Sequence, residues 1–395
     1  MPDLLDDAPP PPALDPAAFD RLRLTLADKG PAAAADALVE EMRAADDLNG
    51  LFYAMLLKKR VELGVSPFPT GPSSELPPET HQPYEDAIRD AGRTVGTMFL
   101  DRRDFPKAWA FFRMLGEPEP VREALASYDP PADADIYPIV EIAWQNGVLP
   151  KKGFDLILAR HGVCSAITMA GSSDMSGNPE LRDHCVGKLT RALHEQLTER
   201  LRTDLEQRGT PEPTATIPQM VAKHPELFAD DAYHIDTSHL SSVVQMALYL
   251  APGPELDMAR ELCEYGRHLA PHLQGSGDSP FDEMYADYLA FLDVVAGKDV
   301  DAGLERFRAK AAREIEEGVT HPAQVYVNLL LRANRPAEAL AAAKTFLMTE
   351  DDGRLVCPGV AELAKRVGDY EALAEAAKAR ADAVGYLAGL IAGRG

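Results

Sequence analysis

Apolar residues recur every three or four positions along most of the chain, the spacing that gathers them on one side of an α-helix. Phe19, Leu22 and Leu26 open the series, and Lys29-Gly30-Pro31 interrupts it. Pro31 suits the first position of the next helix, where a missing N–H costs nothing. That helix runs to about Ala45, and Leu48 to Leu63 predicts another. Further periodic stretches predict helices over Tyr84–Leu100, Pro106–Leu115, Pro120–Ser127, Ile136–Asn146, Lys152–Arg160, Leu181–Arg208, Ser238–Tyr249, Glu255–Leu269 and Phe281–Ala296. The remainder gives Asp301–Glu317, Pro322–Ala333, Pro336–Met348, Val360–Val367 and Tyr370–Ala383. Ala, Leu, Glu and Arg, all strong helix formers, dominate these stretches. Alternating β-branched runs, the signature of strands, are almost absent, so the expectation is an all-α protein.

Several helix starts share a local pattern: a short polar or glycine turn, then small residues, then large apolar ones. Arg335-Pro336-Ala337-Glu338-Ala339-Leu340-Ala341 is one, and Gly368-Asp369-Tyr370-Glu371-Ala372-Leu373 is another. Gly297-Lys298-Asp299 before Ala302 and Leu304 is a third. Asp104-Phe105-Pro106-Lys107-Ala108-Trp109 follows the helix that carries Gly92 and Gly96, and Gly30-Pro31-Ala32 makes a fifth. The pattern resembles the start of the second helix in tetratricopeptide (TPR) repeats, helix-turn-helix units of about 34 residues. The likeness covers about half of the chain, mainly residues 84–130 and 254–383, and no unit carries the family's full tryptophan-to-glycine-to-tyrosine pattern. The resemblance implies a right-handed superhelical array of antiparallel helix pairs, a TPR-like α-solenoid, with a partner held on its concave face.

The prolines divide this array. Pro9 to Pro12, set among acids, predict a disordered tail over 1–18, and 19–66 hold the N-terminal helices. Pro67, Pro69, Pro72, Pro77, Pro78 and Pro83 predict an extended linker or wrapping loop over 67–83, because such density breaks helices and central strands alike. Repeat-like pairs occupy 84–134 and 251–395. Between them, 135–250 reads as an atypical, histidine-rich helical segment.

Composition narrows the partners. The 395 residues carry 63 acidic and 40 basic side chains, a net charge of −23. Nothing in that balance neutralises a run of phosphates or an anionic membrane surface, so nucleic acid and membrane are excluded as expected partners. The N-terminus lacks the charged and apolar regions of a secretory signal, and no apolar stretch reaches the roughly 20 residues of a membrane span. Cys164, Cys185, Cys263 and Cys357 are scattered, with no C-x-x-C pair, which suits reduced thiols in a cytoplasmic protein.

Candidate chemistry gathers where the repeat pattern lapses. Residues 159–178, which include His161, Cys164, Gly171, Ser172, Ser173 and Gly177, read as a glycine- and serine-rich loop, and such loops often carry function. No G-K-[ST] follows it, so it is not a phosphate-binding P-loop. In Tyr233-His234-Ile235-Asp236-Thr237-Ser238-His239, Asp236 is a natural N-cap. His234, Asp236 and His239 also form an H-x-D-x-x-H set whose imidazole and carboxylate donors suit a divalent transition metal, with a further ligand from His161, His184 or His194. The same residues suit a His/Asp acid–base pair. His194-Glu195 lacks the second histidine of a zinc protease, since position 198 is Thr. Tyr137, Glu141 and Trp144, spaced four and three apart, share one helical face and with Lys152 predict a polar ligand pocket opposite the His-rich loop; Ser172 and Ser173 are further candidate ligand contacts.

Two functional readings follow. The first is a non-enzymatic helical-repeat protein that binds a protein or peptide. The second is an enzyme, a metal-assisted or His/Asp acid–base hydrolase or lyase acting on a small molecule, with its site built from residues 137–240. The first rests on the repeat-like pairs and the lack of a complete catalytic motif, the second on the clustered histidines.

Overall fold

The computed structural model describes residues 15–70 and 76–394, and every regular element among them is helical. The chain divides into two compact units, Met1–Arg160 and His161–Gly395. The first holds α1 (Pro16–Ala44), α2 (Leu48–Glu62), α3 (Pro78–Asp101), α4 (Phe105–Leu115), α5 (Glu119–Ala126), α6 (Tyr137–Val140) and the start of α7 (Pro150–Gly171). The second holds the rest of α7, then α8 (Pro179–Gln207), α9 (Ile217–Lys223), α10 (Thr237–Met246), α11 (Pro254–His268), the short α12 (Pro271–Gln274) and α13 (Met284–Val295). It ends with α14 (Val300–Ile315), α15 (His321–Arg332), α16 (Pro336–Phe346), α17 (Val360–Val367), α18 (Tyr370–Ala379) and α19 (Ala383–Ala392).

Helix starts and breaks follow local chemistry. Asp15 accepts the Ala17 N–H at 3.0 Å, so α1 begins three residues before the expected Phe19; residues 1–14 of the expected tail lie outside the described residues. Gly30, in the left-handed region at φ 83°, breaks α1 where the sequence places the break. The extended loop expected over 67–83 gives way to helix at Pro78, and residues 71–75 of it lie outside the described residues. Pro78 occupies the first helical position and Pro83 removes a single hydrogen bond in the second turn, so neither stops the helix.

One joint recurs between successive helices. After α1 the chain enters the left-handed region at Asp46 (φ 60°), and the next residue, Asp47, donates its N–H to Met42 O at 3.1 Å. The Asp47 side chain then accepts the Gly50 N–H at 2.8 Å and caps α2. Thus one residue closes one helix by a Schellman bond and opens the next as its N-cap. The same happens at Asp104, which donates to Phe99 O at 3.0 Å and accepts from Lys107, and at Asp369, which donates to Ala364 O at 2.9 Å and accepts from Ala372. Asp382 does it a fourth time, donating to Ala377 O at 2.8 Å and accepting from Gly385. Arg335 makes the Schellman bond alone, to Leu330 O at 2.9 Å, and leaves the start of α16 to Pro336.

Because the joints are short, neighbours in sequence become neighbours in space. In the first unit α1 packs on α2, α2 on α3, α3 on α4 and α4 on α5. Leu51, Phe52, Tyr84, Val95 and Phe99 fill the space between the first three helices, and Phe111 meets Phe52 and Phe99 at 5.2 and 5.9 Å between ring centroids. A Cβ on Gly96 would lie 2.8 Å from the Phe112 ring, so glycine there lets α3 and α4 approach. In the second unit α11 touches α8, α9, α10 and α13, and from α13 to α19 each helix packs on the next. Contacts of α13 with α15 and of α14 with α16 add a second layer of neighbours.

Irregular segments of the second unit are tied down by buried charge. Asp287 is fully buried; its carboxylate accepts Arg306 Nε at 2.6 Å, Lys310 Nζ at 2.6 Å and the Glu283 N–H at 2.7 Å. Lys310 also donates to Pro280 O at 2.8 Å, so one network pins the segment before α13 to α14. Arg332 on α15 donates to the carbonyls of Leu248 and Leu250, and burial lowers its guanidinium pKa from the usual value.

Two substitutions test these devices. Asp104→Ala removes the shared cap and lowers stability of the first unit by about 0.5–2 kcal/mol. Asp287→Ala takes the shared acceptor from buried Lys310 and half-buried Arg306, which keep Asp282 and Glu283, and costs the second unit about 1.5–3 kcal/mol. Urea denaturation followed by hydrogen exchange assigns each loss to its unit.

Candidate functional site

The expected His234, Asp236 and His239 lie at the start of α10. Ile235 and Leu240, on either side of the first turn, are both buried, in the N′ and N4 positions of a hydrophobic staple. Asp236 is the N-cap: its Oδ1 accepts the N–H groups of Ser238 at 2.8 Å and His239 at 3.2 Å, and the Ser238 hydroxyl at 2.5 Å. The Ser238 bond, with the backbone N–H groups, holds the Asp236 carboxyl below the usual carboxylate range.

His234 turns into the protein. Its side chain is only 8 % exposed, with Nε2 3.2 Å from Asp204 Oδ2 on α8 and Nδ1 3.1 Å from the Tyr265 hydroxyl on α11. The main chain is held as well: the His234 N–H donates to the Tyr265 hydroxyl at 2.8 Å, and Arg200 donates to the His234 carbonyl at 2.8 Å. Phe228, in a 3-10 turn over Pro225–Asp231, presents its ring to both His234 and Tyr265, at 6.3 and 5.4 Å. Burial is the largest influence on His234 and carries its pKa below the ordinary imidazole value despite Asp204. Burial also pushes the Tyr265 phenol up to about 12.

The expected metal set of His234, Asp236 and His239 is therefore not assembled. Both His234 nitrogens have partners, the Asp236 carboxylate faces the amides of its own helix, and His239 is half-buried in the first turn of α10. Among the described residues no three His, Cys, Asp or Glu side chains are placed to hold a metal ion. His161 and Cys164 are exposed, and Gly162 (φ 77°, ψ −174°) breaks α7 between them, which removes the stacking that three-residue spacing gives on an unbroken helix. His194 pairs with Glu261 at 2.9 Å instead of any metal partner.

The expected serine loop is shorter than its composition suggests, because α7 resumes after Gly162 and runs to Gly171. Ser172 and Ser173 both donate their hydroxyls to Met169 O, at 3.2 and 2.9 Å, and so finish the helix. Ser173 also lines a cleft of about 330 Å³ with Arg182, Met246 and Tyr249, where the Arg182 guanidinium lies 4.5 Å over the Tyr249 ring. Here an expected ligand contact borders a cavity.

The remaining expected residues, Tyr137, Glu141, Trp144 and Lys152, belong to the first unit. Their shared face is lost to a π-turn: over Glu141–Gln145 the bonds run five residues, with Asn146 N–H on Glu141 O at 2.9 Å, and the α-helical phase shifts. Tyr137 is 61 % exposed, whereas Trp144 is half-buried with its ring 5.9 Å from Phe154. Lys152 is engaged with Asp129 at 2.7 Å and holds that carboxyl below its usual range.

Asp204, Tyr265 and Phe228, which surround His234, carry no motif in the sequence. Asp204 lies 30 positions before His234 and Tyr265 31 after it, so only the fold brings them together. The Asp204–His234–Tyr265 chain has the form of an acid–base relay, but it ends on a fully buried hydroxyl that no substrate reaches. No protein-family model, curated protein or solved structure matches the chain.

Asp236→Ala separates the cap from the metal reading. The cap predicts a loss of about 0.5–2 kcal/mol in urea denaturation of the second unit, with zinc bound per chain in equilibrium dialysis unchanged. Zinc lost together with Asp236 would restore the metal site.

Proposed function

We propose that the protein is a helical-repeat protein, a right-handed TPR-like superhelical array whose concave face binds a protein or peptide partner. The observation that carries this reading is the recurring joint at Asp47, Asp104, Asp369 and Asp382, in which one aspartate ends one helix and caps the next. A repeated joint of this kind stacks helix pairs in chain order, and stacked pairs offer a long continuous surface instead of one enclosed cavity. The contacts of α13 with α15 and of α14 with α16 support the same arrangement.

The partner's chemistry follows from charge. A net charge of −23 attracts cationic segments and repels acidic ones over about 8–10 Å at physiological salt, so a basic or neutral peptide is favoured. The hydrolase or lyase alternative has no observation of equal weight, since the histidine that forms an acid–base chain is sealed between α8 and α11.

Fluorescence anisotropy with labelled ten-residue peptides of net charge about +4, 0 and −4 tests the reading. The basic peptides should bind tightest, with micromolar dissociation constants that weaken by about ten-fold or more between low and high salt. Failure of every peptide to bind below about 1 mM, or equal binding of acidic and basic ones, would sink the proposal.

A further inference from the structure

The hydrogen bonds around His234 close only for one state of its ring. The Tyr265 hydroxyl already accepts the His234 main-chain N–H at 2.8 Å, so the proton it donates is directed to Nδ1 at 3.1 Å. Nδ1 is then the bare nitrogen, and Nε2–H donates to Asp204 Oδ2 at 3.2 Å. Every donor in this set has an acceptor, and the ring is neutral. A second ring proton has only Nδ1 to occupy. It would point an N–H at an O–H, and the hydroxyl of the fully buried Tyr265 would have to turn out of the bond it donates.

The charges around the ring come from three elements. On α8, Asp204 favours a ring proton, but it is shared with Arg208 Nε at 2.9 Å, and Arg208 and Arg200 both oppose a further positive charge. On α11, Tyr265 faces Nδ1, and His268 stacks on Phe228 at 5.5 Å with its own Nδ1 against Glu264 O at 2.8 Å. In the 3-10 turn, Phe228 supplies an apolar wall, and Glu226 faces His224 at 2.8 Å. On the segment itself, Asp236 is committed to the start of α10.

His224 stands at the other end of the same crossing and differs in kind. Its nitrogens meet Glu226 at 2.8 Å and Glu212 at 3.5 Å, both carboxylates, so a proton on that ring meets acceptors instead of a donor.

We propose that His234 is a pH-operated latch: the neutral ring fastens residues 232–236 to α8 and α11, and a proton on Nδ1 releases that segment and loosens the start of α10. The sign follows from linkage. A released ring regains the ordinary affinity for protons and the latched ring has less, so the released form takes up more protons and gains population as pH falls through the ordinary imidazole range. The latch is independent of which partner the array binds.

Hydrogen exchange on the full chain at about pH 7.5 and pH 5, with rates corrected for the intrinsic pH dependence, reads the latch directly. Amides over 228–240 should exchange about ten-fold faster at the lower pH in the unaltered protein, while α13 to α16 stay constant. His234→Gln keeps an N–H for Asp204 but takes up no proton, and should lose the contrast between the two pH values. Equal protection at both pH values in the unaltered protein, or a contrast that survives in His234→Gln, would overturn the proposal. Titration of the His234 ring by NMR in the unaltered protein needs no variant: a midpoint below the free imidazole value of about 6.5 supports release, and a midpoint above it means that Asp204 tightens the latch on protonation and overturns it.

Discussion

A single aspartate at each of four joints carries two obligations. At Asp47, Asp104, Asp369 and Asp382 the backbone N–H reaches back five residues to close a Schellman bond, and the side-chain oxygen reaches forward three residues to cap the next helix. The Schellman bond requires the preceding residue to lie in the left-handed region, as Asp46, Arg103, Gly368 and Ala381 do. With no residue to spare between helices, the second must turn back beside the first. Helices of eight to sixteen residues, like most of those in the second unit, are marginal alone, and their apolar faces need a neighbour. The joint supplies that neighbour from the next stretch of chain, so amphipathic spacing becomes packing in chain order.

That arrangement was largely legible in the sequence because its signals are local. Gly368-Asp369, Asp104-Phe105-Pro106 and Arg335-Pro336 mark their joints by turn and cap chemistry, and the helices between them have clean three-to-four spacing. The misreadings have equally local causes. Pro78 and Pro83 looked like breakers, yet one sits at a helix start and the other costs a single bond. Gly162 and the serines after it suggested a long loop, whereas the glycine only kinks α7 and the serines cap its end. The helix α19 was missed because its apolar residues follow directly on the Ala-rich α18, with Ala381-Asp382 as an inconspicuous joint.

The chemistry of the middle segment was much less legible. Residue type and spacing brought His234, Asp236 and His239 together on paper, but spacing does not say where a side chain points. Asp236 shows the difference: the property that made it a good cap also removes its carboxylate from any shared site. The partners of His234 lie 30 and 31 residues away on helices whose faces read as ordinary amphipathic patterns. Nothing in the sequence of α8 distinguishes Asp204 from the other acids on it. The π-turn at Glu141–Gln145 undoes the other expected site in the same way, by shifting a helical phase that no local residue marks.

Joints of this kind can order only helices that follow one another closely. The segments 225–236, 247–250 and 280–283 lie outside them and are held by polar side chains from helices distant in sequence: Asp204 and Tyr265, Arg332, and Lys310. These ties differ in what can undo them. Arg332 keeps its charge at any ordinary pH, because a guanidinium deprotonates only far above neutrality. Lys310 sits against the buried carboxylate of Asp287 at 2.6 Å. Of the three, only the tie at His234 depends on a group whose charge changes between pH 5 and 8. The tie at His234 therefore sits at the start of α10, in the segment where the helical joints lapse.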